Sequence, residues 1–546
     1  MKKVKEKEKF RLRPDMLSKG EMIAASILVG ILFPITRVSG TLCASYLAIP
    51  FIVFFFACGV FLVCFERTVY KMVIFRTKRD QYHNAESLFK TALLASFLSA
   101  VFLCIVLGFF AYDIMEGMFF LERGYIVLWL ILPGVLLISV QGCIRGYLHG
   151  LGYTIQNFIS TLILSISSFA CTLILSVFAN SYGEKVNALL HVDYISRFYT
   201  ACVTSIAFSV GSLFSLLYIT SFYGTKKKEI SVYIKTGANK YLDSKAEVFD
   251  NLKYTLPVMF ATLFVFLLDI RLFMSLSAKS DDITGGIVDL GLFIGKIIPI
   301  LLVSVFILSL STVKKWYQME AAFKKDKKDI ASILFGQIIH TFIRTFIPVA
   351  FFIMFMSDLI LELIYGSSEK AEASLLGFFA LFVFIFSVFV FLMWFVVRLE
   401  HMMLNIIGVL SFAVLHTLSS LLLISVMGKG LHGIALSFML SMLVYDIVFF
   451  KIISSMLDFA FEDIYKPLIV LVGSIVACLF ALILKNALRY VIGEILTMAV
   501  CVIVSYVVYV VILAYMRGIE RYSLSKLPLG NFFIKLTNMS SRRLSE

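Results

Sequence analysis

Apolar runs of roughly 20 residues recur from Met22 to Met516, parted by short polar breaks. Each is long enough, as a helix, to cross about 30 Å of hydrocarbon. The pattern predicts an all-α polytopic membrane protein with about fourteen transmembrane helices. The first runs lie near 22 to 38, 41 to 65, 89 to 112, 125 to 143, 154 to 178 and 199 to 222, and a second set opens near 252, 286 and 331. Short alternating strands with a two-residue period are missing, so helices rather than a barrel satisfy the backbone in lipid.

The polar breaks carry sign. Lys and Arg crowd the N-terminal run, residues 67 to 79, Arg145, residues 226 to 245, residues 314 to 328, Arg398 and residues 517 to 543. Asp113, Glu116, Glu122, Glu184, Asp193, Asp281, Asp282, Asp358, Glu362 and Glu369 fall in the breaks between. Basic loops mark the cytoplasmic side, so a multi-pass cell-membrane protein with both termini cytoplasmic is expected. The acidic break 458 to 463 is placed inside on the helix count alone.

A basic turn leading into a returning helix follows the second run, "RTKRDQYHNAESLFKTALL", and recurs six helices later as "FKKDKKDIASILFGQIIH". That offset predicts two six-helix lobes related by an axis along the membrane normal, with the substrate site between them. The expected organisation is a basic N-terminus (1–21), an N-lobe (22–222), a cytoplasmic linker (223–250), a C-lobe (251–457), two further helices (458–516) and a basic amphipathic tail (517–546). The tail segment "LSKLPLGNFFIKL" is expected to lie on the inner membrane surface.

Composition narrows the function classes. With 60% hydrophobic and 15% charged residues, one ordinary soluble core is excluded. The net charge of +14 belongs mostly to the inner face, where anionic lipids attract it. Nucleic-acid binding is not expected, because no basic-aromatic module appears. The nine cysteines stand singly in or beside apolar runs, as small packing residues. No metal and no cofactor are expected.

Charges inside the apolar runs are the candidate chemistry, since lipid-buried ionisable groups usually face a protein interior or a wet cavity. Lys296 sits roughly 15 Å inward from Gly286, and Arg344 about 16 Å from the inner edge of its run, both near the midplane. His340 shares a helical face with Arg344, making one polar stripe. Asp269 and Arg271 lie in the outer third on different faces, an expected outer gate, and Arg37 nears the outer end of the first run. Snorkelling to headgroups is the alternative for Arg37 and Arg271. Asp446 is read as structural, beside Lys451. Cations outnumber the acids able to neutralise them, which suits an anion; Arg and Lys match phosphate and pyrophosphate. No P-loop, HExxH or GxSxG signature is present, and an enzyme is not expected.

"KGEMIAASILVGILFPITRVSG" (19–40), with Thr36-Arg37-Val38-Ser39-Gly40, "IRGYLHGLGY" (144–153), "LKYTLPVMFATLFVFLLDIR" (252–271) and "IIHTFIRTFIPVAFFIMFMSDLILELIYG" (338–366) resemble the polysaccharide flippase branch of the multidrug/oligosaccharidyl-lipid/polysaccharide (MOP) exporter superfamily. The likeness is to stage V sporulation protein B-like and lipid II flippase-like members. It implies two six-helix lobes around a central cavity, alternating access, and export of a polyprenyl-pyrophosphate-linked saccharide. It further implies a groove for the lipid tail at the last two helices, Arg37 as a substrate residue and Arg145 as a structural or gating one. This chain departs from the pattern in three places. Gly40 runs straight into the second helix, "RLEHMM" replaces a glycine-rich turn, and Lys296 stands where a small or apolar residue is expected.

The expected function is a flippase moving an anionic lipid-linked saccharide outward, with Arg37, Arg271, Lys296 and Arg344 binding substrate and Asp269, His340 and Arg145 coupling or gating. Its partners are the lipid-linked saccharide, membrane lipids and envelope glycan synthesis proteins. Two alternatives stand: an ion-coupled multidrug-type exporter using Asp269 as coupling acid, and a non-transporting scaffold of envelope assembly.

Overall fold

The computed structural model describes residues 13–237, 242–243, 245–253, 255–399, 401–460, 465–519, 521–525 and 528–536. Most of the basic N-terminal run, part of the break 458 to 463 and the end of the basic tail lie outside them. Among the described residues, thirteen helical segments are long and apolar enough to span a membrane. They are α1 (Pro14–Thr77), α2 (Tyr82–Phe109), α3 (Gly124–Gly150), α4 (Thr154–Leu190), α5 (Ile195–Thr236), α6 (Leu256–Lys279), α7 (Ile283–Ser309), α8 (Lys328–Phe355), α9 (Lys370–Arg398), α10 (Met402–Val426), α11 (Gly430–Met456), α12 (Tyr465–Arg489) and α13 (Glu494–Tyr515).

At 64 residues α1 would be about 96 Å long if straight, three times the hydrocarbon thickness. It is a hairpin instead. Arg145 Nη2 stands 3.4 Å from Glu21 on the first leg and 3.1 Å from Glu66 on the second. Residues 45 apart cannot share one nitrogen unless the chain folds back between them. The fold-back is Gly40, with φ 76° and ψ 178°, a backbone conformation essentially reserved for glycine. The two legs bring the number of crossings to the fourteen of the hydropathy pattern, and one glycine does the work of the missing loop.

Elsewhere the helices overrun their apolar stretches. α4 and α5 span 37 and 42 residues, so the polar stretch 179 to 198 is helical except for a short turn. Asn187 ties that turn: its Oδ1 accepts the backbone N–H of Ile195 at 3.0 Å and its Nδ2 donates to Ser196 Oγ at 3.1 Å. At its other end α5 continues through Lys226, which pairs with Glu229 at 3.0 Å. The chain after α5 is held by Arg76, which pairs with Asp243 and, at 2.5 Å, with Glu247.

The chain divides into two compact units. The first runs up to Val313 and adds Val396–Ser441, hence α1 to α7, α10 and the first part of α11. Its helices approach closely through small residues, the usual solution where lipid offers no hydrophobic drive. At Gly146 an added Cβ would lie 2.5 Å from Glu66 O, so glycine lets α3 meet the second leg of α1 and delivers Arg145 to Glu66. Four π-helical turns lie in this unit among the described residues: Cys58–Phe65 in the second leg of α1, Asp113–Met118 after α2, Phe293–Ile297 within α7 and Leu421–Val426 ending α10; such turns recur at functional sites.

The second unit holds Lys314–Phe395 and the chain from Met442 onward. Trp316, Phe342, Phe391 and Trp394 form an aromatic core there. α12 and α13 pack as an antiparallel pair turning at Gly493, φ 78°. The tail segment expected on the membrane surface packs on that pair: Leu524 and Phe533 are buried with Ile469, Tyr509 and Leu513. Leu524 and Phe533, nine apart, fill a protein groove, while Leu529 and Phe532 remain exposed.

Candidate functional site

Asp269 faces inward from α6 in the first unit and is almost fully buried. His416 and Ser420 sit one turn apart on α10, and Ser437 and Ser441 one turn apart on α11, so each pair presents one polar stripe. The stripes converge on the carboxyl group. Ser420 donates to Asp269 Oδ1 at 2.6 Å, and His416 Nε2 lies 2.9 Å from Oδ2. His416 Nδ1 is 3.1 Å from Ser441 Oγ, and Ser420 Oγ is 3.1 Å from Ser437 Oγ.

Donor and acceptor roles follow from the hydroxyls. Ser441 gives its proton to Ser437 O at 2.6 Å, so its oxygen accepts from His416 Nδ1–H. The contact between Nε2 and Asp269 then needs one further proton, whether it sits on the ring or on the carboxyl. With it the group is neutral overall; without it a lone pair faces a carboxylate in a dry interior, which is unfavourable. The hydrogen-bond pattern therefore places one proton between His416 Nε2 and Asp269 Oδ2.

Ser441, His416 and Asp269 also have the composition of a hydrolytic triad. The geometry does not support nucleophilic work: His416 is fully buried, and Ser441 is committed to a main-chain carbonyl. A nucleophile needs its proton taken by the base and an acyl group within reach.

The remaining residues singled out in the sequence separate. Arg271, two positions from Asp269, donates to Met118 O at 2.5 Å and lies over the Phe120 ring, so it ties α6 to the turn before α3. Arg37 is exposed, three residues before the Gly40 turn. Lys296 is buried in the π-turn of α7, beside Gly295, whose carbonyl accepts the Thr36 hydroxyl at 3.2 Å. Arg145 belongs to an ion cluster with Glu21 and Glu66. All of these lie in the first unit.

Arg344 and His340 lie in the second unit, and there they share a groove. A cavity of about 610 Å³ opens between α8, α12 and α13. Arg344, Lys315 and Lys466, with the His340 imidazole, supply its basic lining; Val470, Phe352, Val502, Val510 and Leu513 supply apolar walls. The Arg344 side chain is anchored by Nε donating to His340 O at 3.1 Å, and Tyr509 donates to Arg344 O at 2.7 Å. Lys315 Nζ donates to Thr341 at 3.3 Å.

Superposition on solved structures gives matches over most of the chain. An inward-facing multidrug resistance MATE family transporter of the MOP superfamily matches with a TM-score of 0.61 at 14% identity, over 79% of this chain and 95% of that one. The fold is that of the MOP-superfamily transporters. The lipid II flippase MurJ in an inward closed conformation matches with a TM-score of 0.55 at 13% identity, over 89% and 98% of the two chains. A MOP-superfamily transporter from Pyrococcus furiosus, described by the reverse polarity of its binding pocket, matches at 0.52 and 12%, over 82% and 100%. No protein-family model and no curated protein matches the sequence.

Sequence reading missed His416, Ser420, Ser437, Ser441, Lys315 and Lys466. The signal for the first two was the spacing His-x-x-x-Ser inside "SFAVLHTLSSLLL", a polar pair four apart in an otherwise apolar run.

Proposed function

We propose that this chain is a membrane transporter carrying an anionic polyprenyl-pyrophosphate-linked saccharide from the inner to the outer leaflet by alternating access. The single observation that carries the reading is the groove of the second unit. It joins four basic side chains to apolar walls within one cavity. A wholly hydrophilic solute has no use for the walls, and a cationic drug is repelled by the lining. An amphiphile with a pyrophosphate head and a long hydrocarbon tail fits both: Arg344 and the two lysines meet the phosphates, and the walls of α12 and α13 take the start of the tail. The substrate contacts in this reading centre on Arg344 and His340, which line the groove, while Arg37, Arg271 and Lys296 belong to the first unit.

A second reading, coupling to an ion, is favoured by Asp269. The pair Asp269 and His416 is a buried one-proton device in the first unit, which serves as the coupling site of the same transporter or of a small-molecule exporter with this fold. Charge reversal at the groove, Arg344→Glu with Lys466→Glu, in a reconstituted translocation assay tests the first reading.

A further inference from the structure

A second cluster of ionisable groups lies where the hairpin α1 meets α3, at the end of the first unit that carries the basic N-terminus. Arg145 is 2% exposed, and its Nη2 alone faces both Glu21 Oε1 at 3.4 Å and Glu66 Oε2 at 3.1 Å. Glu66 Oε1 accepts Asn157 Nδ2 at 2.8 Å and stands 3.5 Å from His149 Nδ1. The His149 ring lies against Tyr70, centroids 4.1 Å apart. Arg145 Nε and Asn157 Oδ1 are buried with no hydrogen-bond partner among the described residues.

The charges do not cancel. Two carboxylates converge on one guanidinium, and with His149 neutral the cluster carries a surplus negative charge in a poorly solvated place, an expensive arrangement. Among the described residues, Glu21 and Glu66 form ion pairs with Arg145 and His149 alone. The first leg of α1 contributes Glu21 and also carries Lys19. The second contributes Glu66, Tyr70 and the Cys58 thiol and also carries Lys71, while Arg67 donates to Val397 O at 2.8 Å. α3 contributes Arg145 and His149. The facing stretches of α4 and α7, Thr154 to Ser165 and Ile298 to Ser309, hold no titratable side chain.

We propose that Glu21, Glu66, Arg145 and His149 form a proton-binding site, separate from Asp269 and His416, whose occupancy sets how firmly the hairpin α1 is held to α3. The proton enters from water, because Glu21 is 40% and His149 21% exposed whereas His416 and Asp269 are sealed. On the imidazole it stands between Glu66 and the Tyr70 face, which attracts a cation, and brings the cluster to neutrality. When it leaves to water, two carboxylates compete for Arg145 Nη2 and the first leg of α1 loosens. The basic loops place this water on the cytoplasmic side, so the site reads cytosolic acidity.

Hydrogen exchange on the full chain in lipid nanodiscs, at about pH 6 and about pH 8 and corrected for intrinsic rates, tests this. In the wild type the segment Pro14–Gly30 exchanges several-fold more slowly at the lower pH, while α13 shows no such difference. Glu21→Gln removes the surplus carboxylate and leaves the segment protected at both values. His149→Gln removes the proton acceptor and leaves it fast at both. Equal protection of the wild-type segment at the two values, or a difference that survives in either variant, overturns the proposal. No substrate enters the measurement, so its result is independent of what the groove carries.

Discussion

Replacing Asp269 by Asn tests how many protons the buried pair with His416 holds. With Ser441 donating to Ser437 O, an asparagine reproduces the loaded site: Oδ1 accepts Ser420 as before, and Nδ2–H donates to His416 Nε2 across the same 2.9 Å. All hydrogen bonds persist, and the expected loss of stability is within about 1 kcal/mol. His416→Leu keeps bulk but cancels the contacts to Asp269, Ser441 and Ser420 at 2.9, 3.1 and 3.1 Å. If the carboxyl then stays ionised, the loss is about 3–5 kcal/mol, the cost of an orphaned buried charge. If it takes the proton, three neutral bonds at about 0.6 kcal/mol each in a membrane give nearer 2 kcal/mol. Equilibrium unfolding of the two variants in the same micelles reads the order directly. Asn at 269 costing as much as Leu at 416 would refute the reasoning, because it would mean that the site holds a charged pair an amide cannot replace.

Two further outcomes follow from the same geometry. Gly40→Ala meets no atom within 4 Å, so its cost is purely that of the backbone, about 1–3 kcal/mol for φ 76° with extended ψ; unfolding that shows no loss would mean that the hairpin turns elsewhere. Asp358, in the short helix after α8, is pushed up by partial burial but held below the usual carboxylate range by Lys485 at 2.8 Å and Arg489 at 3.3 Å. Its contribution is present above about pH 4 and is lost as pH falls through its lowered value. Exchange in α12 is therefore expected to rise on acidification below about pH 4, and Asp358→Asn to flatten that rise.

Much of the fold was legible because lipid imposes its own ruler. Apolar run lengths gave the crossings, and Gly40 between two full-length runs already implied a turn without a loop. The extension of α4 and α5 was hidden, since residues 179 to 198 are polar yet compatible with a helix once Asn187 can cap the turn. The site was legible where its logic is local. Arg344 and His340, four apart, form a visible stripe, and the groove carries both. Asp269 was visible as a costly acid, but its partner stands 147 positions away, and no single sequence announces that pairing. The acceptor of Arg271, the main-chain oxygen of Met118, has no sequence signature at all. The tail looked surface-bound for the same reason: its apolar residues do not say whether lipid or protein receives them.

The central claim is that the groove of α8, α12 and α13 holds an anionic amphiphile during export. The direct measurement is outward translocation of a polyprenyl-pyrophosphate-linked saccharide in proteoliposomes, comparing the wild type with Arg344→Glu combined with Lys466→Glu, after both are shown to be folded. Turning attraction into repulsion at two charge contacts is expected to cost at least 2 kcal/mol, roughly. The account predicts a rate more than about tenfold lower, with wild-type rates retained in an Ile503→Leu control, an exposed position of α13 that does not line the groove. An unchanged rate in the folded double variant would contradict it.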